Sequence, residues 1–246
     1  MIKLAVSGAQ GRMGQSIIDA ALLNKDFFVV NALFESSQRK DLAKEYKGIP
    51  IYTNLNALQG CDVLIDFTIP EATVSNIEVC LKYKIAMVIG TTGLRPFDVD
   101  TLKIASEAIP IVFSSNMSLG VNILFNLIEQ ASKTMKIEGI EKILIEETHH
   151  IHKKDFPSGT AKTMRDIAEE FSGIRILDTD IKSFRTGEVI GDHTIIYETS
   201  FDTITISHHA KNRNMFAAGA ILAAKFLVDK KKANGLYNMK DVFGLK

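Results

Sequence analysis

The stretch HHIHKKDFPSGT, from His149 to Thr160, gathers three histidines, two lysines and an aspartate ahead of a Pro-Ser-Gly-Thr turn. Clustered imidazoles and ammonium groups depress one another's pKa values, which supplies a general acid near neutral pH and a cationic surface for a negatively charged substrate. The segment leaves a strand and starts a helix at Ser158-Gly159-Thr160, where backbone N–H donors can bind a carboxylate. The chemistry indicated is proton transfer to a small acid. A zinc site would need more converging ligands: in an extended segment His149 and His150 face opposite ways, and no cysteine stands near, so no metal is expected. A solvated basic loop is the bland alternative. Arg185, His193, His208, His209, Lys211 and Arg213 follow downstream, and all six histidines lie after residue 148.

A second constellation opens the chain. VSGAQGRMGQSII places Gly8, Gly11 and Gly14 between a first strand and a first helix, where small residues let backbone N–H groups approach a pyrophosphate. Aligned on its last glycine the motif reads A-x-G-x-x-G, with Ala9 in the position of the usual first glycine. Glu35 ends the second strand 21 residues beyond Gly14, where a carboxylate can accept both ribose hydroxyls of an adenosine. Ser36, Ser37, Gln38, Arg39 and Lys40 follow; a carboxylate at Glu35 would repel a 2′-phosphate, so NADH is favoured over NADPH, although Arg39 and Lys40 offer cations. Gly90-Thr91-Thr92-Gly93 and Ser114-Ser115-Asn116-Met117 fall at two further strand ends, suited to the nicotinamide ribose and amide.

The elements that must position these groups come in two patterns. Residues 2–8, 27–35, 61–68, 85–92 and 110–116 are short apolar strands, separated by helical spacing over 13–23, 70–83 and 96–108; this is the rhythm of a doubly wound parallel sheet. After residue 116 a long apolar helix (119–135) precedes strands that alternate visibly, 142–150, 193–200 and 202–210, which implies a sheet packed on one face only. Helices are expected over 158–171 and 216–228, with Lys230-Lys231-Lys232 as a solvated helix end. The fold class expected is α/β: a Rossmann-like sheet from 1–118 and 215–246, and a smaller α+β substrate-binding and oligomerisation domain with an open mixed sheet over 119–214.

Composition excludes several classes. With 46% hydrophobic and 24% charged residues, and 29 basic against 29 acidic, no global field draws the chain to nucleic acid or to anionic lipid. No apolar run reaches the roughly 18 residues of a membrane span, and no signal-peptide pattern is present. Cys61 and Cys80 lie in segments that read as a strand entry and a buried helix face, with no CxxC or histidine neighbour to suggest zinc, which fits a reducing compartment. A soluble cytoplasmic enzyme is expected, with no nucleic-acid or membrane partner.

GAQGRMG, GTTG, SSNMSLGVN, EETHHIHKKDFPSGTA, RTGEVIGDHT and FAAGA, in that order, resemble the 4-hydroxy-tetrahydrodipicolinate (dihydrodipicolinate) reductase family over essentially the whole chain. The resemblance implies an NAD(P)H-dependent oxidoreductase of diaminopimelate and lysine biosynthesis that delivers a hydride to ring C4 of the substrate before protonation at C3. It implies His149 as proton donor or acceptor, Lys153 as proton donor, and His150, Gly159 and Thr160 as holders of the substrate's carboxylates. The implied cofactor contacts are Gly8, Ala9, Gln10, Gly11, Arg12, Met13, Glu35, Gly90, Thr91, Thr92, Ser114, Ser115, Asn116 and Met117. Family members are similar in being homotetramers. Two places depart from the family pattern: Ser36 stands where many members have an arginine toward the 2′-phosphate of NADPH, and Lys154-Asp155-Phe156 stands where small or apolar residues usually precede and follow the aspartate. The other readings are a related Rossmann dehydrogenase for another dicarboxylate, such as an aspartate dehydrogenase, and a non-catalytic dinucleotide sensor.

Overall fold

A computed structural model describes residues 1–25, 28–36, 38–136, 139–229 and 233–245. Phe27 of the expected second strand, Ser37 and the run Lys230–Lys232 lie outside the described residues. In chain order the elements are β1 (Ile2–Ser7), α1 (Arg12–Leu23), β2 (Phe28–Phe34), β3 (Glu45–Tyr46), β4 (Ile49–Tyr52), β5 (Val63–Asp66), α2 (Pro70–Tyr83), β6 (Ala86–Ile89), α3 (Pro96–Ser106) and β7 (Pro110–Phe113). There follow α4 (Leu119–Met135), β8 (Lys142–His149), α5 (Gly159–Ser172), β9 (Ile181–Arg185), β10 (Asp192–Glu198), β11 (Thr203–His209), α6 (Asn214–Asp229), β12 (Gly235–Tyr237) and α7 (Met239–Phe243).

The chain divides into two compact units, one formed by Met1–Ser118 with Asn214–Gly244, the other built on Leu119–Arg213. The first holds an eight-stranded sheet in the order β12-β7-β6-β5-β1-β2-β4-β3, parallel throughout except between β3 and β4. Strand direction of travel reverses on either side of β1, whose carboxyl end is therefore the switch point where such sheets bind ligands. The period of two sends Leu4 and Val6 to one face, against α1 and α6, and Ala5 to the other, against the cluster that holds Ile77 of α2 and Leu102 of α3. Both faces are covered, so β5 and β6 are buried at every residue. Alanines 217, 220, 223 and 224 let α6 lie close to the sheet, and a Cβ at Gly219 would stand 1.8 Å from the Met117 carbonyl.

The second unit is a four-stranded mixed sheet, β11-β10-β8-β9, antiparallel but for β8 with β9. Its packed face carries Ile143, Ile145, Ile195 and Tyr197, which meet Val121, Leu124 and Ile128 of α4 and Ala161, Met164 and Ala168 of α5. The buried Tyr197 hydroxyl is satisfied by Ser132 Oγ at 2.8 Å and by donating to the Ile128 carbonyl. No helix among the described residues is long and apolar enough to cross a membrane.

The α/β class with a doubly wound sheet and a smaller mixed sheet is as the sequence implies. The differences lie at the ends. Strands expected to reach residues 68, 92 and 116 stop at 66, 89 and 113, because the polar turns that follow take loop geometry. β3, β4, β9, β12 and α7 are too short to give a periodic signal; the β3–β4 hairpin turns through Lys47 and Gly48, both at positive φ.

Candidate active site

In the first unit, the turn after β1 is shaped by glycine. Gly8 adopts φ +82°, and a Cβ there would stand 2.7 Å from the Phe67 carbonyl; one at Gly14 would stand 2.1 Å from the Gly8 carbonyl. Ala9 is tolerated because the left-handed position belongs to Gly8, and its methyl is buried in the core. The N–H groups of Gly8 and Ala9 donate to the Phe34 carbonyl and that of Gly11 to Gly8, so these three brace the turn itself. Gly11 gives α1 no side-chain cap, and no acidic residue occupies its first turn, which leaves the positive pole at Arg12 and Met13 suited to a phosphate.

Glu35 reaches back to the same turn. Its Oε2 accepts from Gln10 N at 3.0 Å and its Oε1 from Ser36 N at 3.0 Å, while Arg39 Nη1 stands 3.7 Å away and Arg39 Nε lies 2.8 Å from Asp41. Gly8, Gly11, Glu35, Ser36, Arg39 and Thr68 line a cleft of about 500 Å³ at the switch point. A cradle that no Cβ could enter, an open helix N-terminus and a carboxylate at the second strand end fit a dinucleotide.

Gly90, Thr91 and Thr92 leave β6 beside that cleft. A Cβ at Gly90 would strike the Phe67 ring. Thr91 is buried and its hydroxyl works within the protein, accepting from Thr68 N at 3.1 Å and meeting Thr73 Oγ1 at 2.9 Å and Asp66 Oδ1 at 3.4 Å. Burial pushes the Asp66 carboxyl up, against hydrogen bonds from Thr68, Asn76, Thr73 and Thr91. Ser114 N donates to the Ile89 carbonyl, which sets the turn Ser114–Met117 against the end of β6. Ser115 is exposed, whereas the Met117 side chain is buried in the core, so at that position only the backbone is left to face a ligand.

In the second unit the groups are side chains. Alternation along β8 puts Glu147 and His149 on the same packed face as Ile143 and Ile145, and β10 sets His193 opposite Glu147. His149 Nδ1 lies 2.5 Å from Glu147 Oε2, a close but poorly aligned contact that leaves neither atom in a regular hydrogen bond. Glu147 Oε1 accepts from Arg185 Nη2 at 2.9 Å and from Ser158 N at 3.2 Å. Burial pushes the Glu147 carboxyl up, but hydrogen bonds from His149, Ser183 and Arg185 and the charge of His149 outweigh it and hold the group far below the usual carboxylate range. The His193 ring stands edge-on to His149 with centroids 5.0 Å apart; burial, with the charges of His149 and His208, pushes it down to about 3, so it is neutral.

The loop after β8 carries Lys153 and Asp155. Lys153 Nζ pairs with Asp155 Oδ1 at 2.9 Å, on the loop that leads into α5. Burial raises the Asp155 carboxyl, and Lys153 with the backbone of Asp155 and Gly159 lowers it to below its ordinary value. Ser158 caps α5 by accepting from Ala161 N at 3.2 Å. Arg185 ties the loop down, donating to the Lys153 and Asp155 carbonyls and lying 4.0 Å from the centroid of the Phe156 ring. The unusual Phe156 is thus an exposed platform for a guanidinium. His150 is half-buried, its pKa lowered by desolvation and by Arg213, and its ring stands 6.2 Å from that of His152, which is exposed.

The structure therefore gathers His149, Lys153, Gly159 and their loop, and adds Glu147, Asp155, Arg185 and His193, which sequence reasoning either passed over or counted only as charge. The signal for Glu147 was its place two residues before His149 on an alternating strand. Glu147, His149 and His193 also bring three ligand atoms within 4.8 Å of one another, a donor set other than the 149-150-152 trio considered from sequence. The Arg185 guanidinium on the same carboxylate opposes a cation there.

Comparison with known proteins identifies this arrangement. The family model described as dihydrodipicolinate reductase, N-terminus, matches residues 2–117, and that described as dihydrodipicolinate reductase, C-terminus, matches residues 120–243. The 4-hydroxy-tetrahydrodipicolinate reductase of Nitrosomonas europaea is 37% identical over 269 residues, covering 100% of this chain and 99% of that protein. That of Nitrosospira multiformis is 37% identical over 270 residues, covering 100% and 98%. The dipicolinate-bound dihydrodipicolinate reductase from Paenisporosarcina sp. TG-14 shares the fold, with a TM-score of 0.82, 22% identity and 98% of each chain covered. The chain belongs to the dihydrodipicolinate reductase family.

Proposed function

We propose that this chain performs the family's reduction, in diaminopimelate and lysine biosynthesis, with the first unit as dinucleotide-binding domain and His149 and Lys153 of the second as its proton-transfer groups. When bound, the reduced nicotinamide supplies the hydride, to ring C4 of the substrate. Gly8 to Gly11 shape the cradle and Arg12 and Met13, at the open pole of α1, bind the pyrophosphate through backbone and helix dipole, Glu35 takes the adenosine ribose, and the turns at 90–92 and 114–117 hold the nicotinamide half. His150, Gly159 and Thr160 hold the substrate's carboxylates, and Lys153 Nζ delivers the proton to C3 with His149 beside it. A conjugated dianionic imine accepts a hydride most easily where cations are already arranged around its carboxylates.

The observation that carries this reading is Asp155. A carboxylate of the protein's own already pairs with Lys153 Nζ at 2.9 Å, and the Gly159 backbone at the start of α5 helps lower its pKa, so this corner of the second unit favours a carboxylate. An acidic substrate would use the same pair. The test is a coupled assay in which dihydrodipicolinate synthase, pyruvate and aspartate semialdehyde generate the substrate, followed by loss of reduced-nicotinamide absorbance. Oxidation of the cofactor that depends on all components, and inhibition by the planar analogue dipicolinate, is expected. No oxidation would refute the reading, and turnover of oxaloacetate with ammonia instead would favour an aspartate dehydrogenase.

NADH is the preferred cofactor in this reading. Ser36 brings no cation to a 2′-phosphate, and the Arg39 guanidinium is drawn toward Glu35 and Asp41. The working form is a homotetramer in the cytoplasm, to be checked by light scattering.

A further inference from the structure

We infer that Glu147 is the positioning residue of the second unit: its carboxylate fixes the His149 ring with the proton on Nδ1 and, by the same group, anchors the start of α5 and the loop of Lys153. The inference rests on the proposed roles of His149 and Lys153.

Four groups converge on two oxygens. Ser158 N and Arg185 Nη2 take Oε1, the Ser183 side chain adds a hydrogen bond, and His149 Nδ1 closes to 2.5 Å on Oε2, though poorly aligned. Two lone pairs at that separation would repel, so Nδ1 must carry the hydrogen, and Nε2 is left as the ring's exchangeable position. The ring is closely flanked. Gly191 leaves room for it, since a Cβ there would stand 3.0 Å from Nε2, and the His193 ring lies edge-on with centroids 5.0 Å apart. His193 is 4% exposed with both ring nitrogens unpartnered, and it is neutral, so it packs against His149 without competing for the proton on Nδ1.

The second branch runs through Arg185. From Glu147 its guanidinium reaches the carbonyls of Lys153 and Asp155 and covers Phe156, so the segment that aims Lys153 is fastened to the same carboxylate. The third branch is Ser158, whose N–H bonds Glu147 while its hydroxyl caps α5. Only a carboxylate serves all three branches. A glutamine in its place has one acceptor oxygen, and its NH2 group must face either the Arg185 and Ser158 donors or the His149 N–H. Toward Arg185 and Ser158 the NH2 group would oppose two donors, so it faces His149, turns Nδ1 into an acceptor and moves the proton to Nε2.

The test uses the intact enzyme with imidazole-15N-labelled histidine, the His149 signals being assigned by their loss in H149Q. In wild type, His149 is expected to carry hydrogen on Nδ1; an Nε2–H tautomer with bare Nδ1 overturns the inference without any variant. In E147Q the tautomer is expected to switch, with kcat down by about 100-fold and the KM for NADH unchanged. E147D, which keeps two acceptor oxygens, is expected to retain the wild-type tautomer and recover part of kcat. An E147Q enzyme with kcat within about twofold of wild type, or one whose kcat falls while its tautomer stays, refutes a positioning role. These outcomes separate from the fate of the functional reading, since an inactive wild-type enzyme with the Nδ1–H tautomer would refute the reaction and leave the Glu147 contact standing.

Discussion

In the first unit the cleft is shaped mostly by backbone: a glycine turn closed by its own hydrogen bonds, the pole of α1, and beside them the carboxylate of Glu35, which itself accepts from Gln10 N and Ser36 N. In the second unit they are side chains held by other side chains, with Glu147, Arg185, Lys153 and Asp155 in one connected chain of charge. A backbone site recognises a ligand by shape, and is damaged when a Cβ changes that shape. A side-chain site performs proton transfer and is damaged when a functional group is removed, with its shape intact. The two units should therefore fail differently under substitution.

The largest effect is expected at Lys153. Replacing it with alanine should lower kcat by about 10²–10⁴, as loss of a positioned acid does, while the dissociation constant for NADH, read by fluorescence titration, stays near wild type. An equal loss of cofactor affinity would erase the distinction between the units. The converse variant is Gly14→Ala, whose methyl would sit 2.1 Å from the Gly8 carbonyl. Such overpacking costs about 1–3 kcal/mol, a fall in Tm of about 2–4 °C for each kcal/mol in a chain of this size. NADH affinity should fall with it, whereas dipicolinate binding by calorimetry should persist.

This difference also explains what the sequence made legible. The glycine turn, Glu35 and the helices over 70–83 and 119–135 are local signals, in which a spacing of a few residues fixes the geometry. The HHIHKKDFPSGT segment is local too, and it announced His149, Lys153 and the start of α5. Glu147, Arg185 and His193 were not legible as a site because they meet across strands, 38 residues separating Glu147 from Arg185. Register decides such meetings: Glu147 faces Ser183 on β9 and His193 on β10, and a one-residue slip would scatter the cluster to the other face. The short strands β3, β9 and β12 escaped for another reason, since two to five residues cannot display a period.

Acid should separate the units next. His193 is held neutral in the fold, at about 3 against an ordinary 6.5, so on acidification the unfolded chain takes up its proton first. Its contribution to stability is complete above about pH 6.5 and is lost as pH falls toward about 3, at no more than about 1.4 kcal/mol per pH unit. Glu147, lowered like His193, has the same sign and acts below the ordinary carboxylate value. Asp66 of the first unit has the opposite sign: raised by burial, its contribution is complete below an ordinary 3.8 and is lost as pH rises through its folded value. Thermal melts between about pH 4 and pH 7 should show Tm falling with acid, and His193→Phe should flatten that dependence. A slope unchanged in His193→Phe would remove His193 from the account.

The smallest effect, and the sharpest test of the backbone end, concerns the cofactor's 2′ position. Ser36 is exposed beside Glu35, and Arg39 is engaged by Glu35 at 3.7 Å and Asp41 at 2.8 Å. Ser36→Arg adds a guanidinium that can take a phosphate in a bidentate fashion, but Glu35 remains to repel it. The gain in kcat/KM for NADPH should therefore be about tenfold or less, near 1.4 kcal/mol, with kcat unaltered because the proposed proton-transfer groups lie in the other unit. Parallel Michaelis curves with NADH and NADPH measure it. Removing Glu35's charge in the same background, as Ser36→Arg with Glu35→Gln, should add to the NADPH gain and weaken NADH, since in the proposed binding mode the carboxylate that repels the phosphate is the one that accepts the ribose hydroxyls. If NADPH use rises equally with Glu35 intact, the carboxylate has no part in the choice, and discrimination at this end rests on the added cation alone.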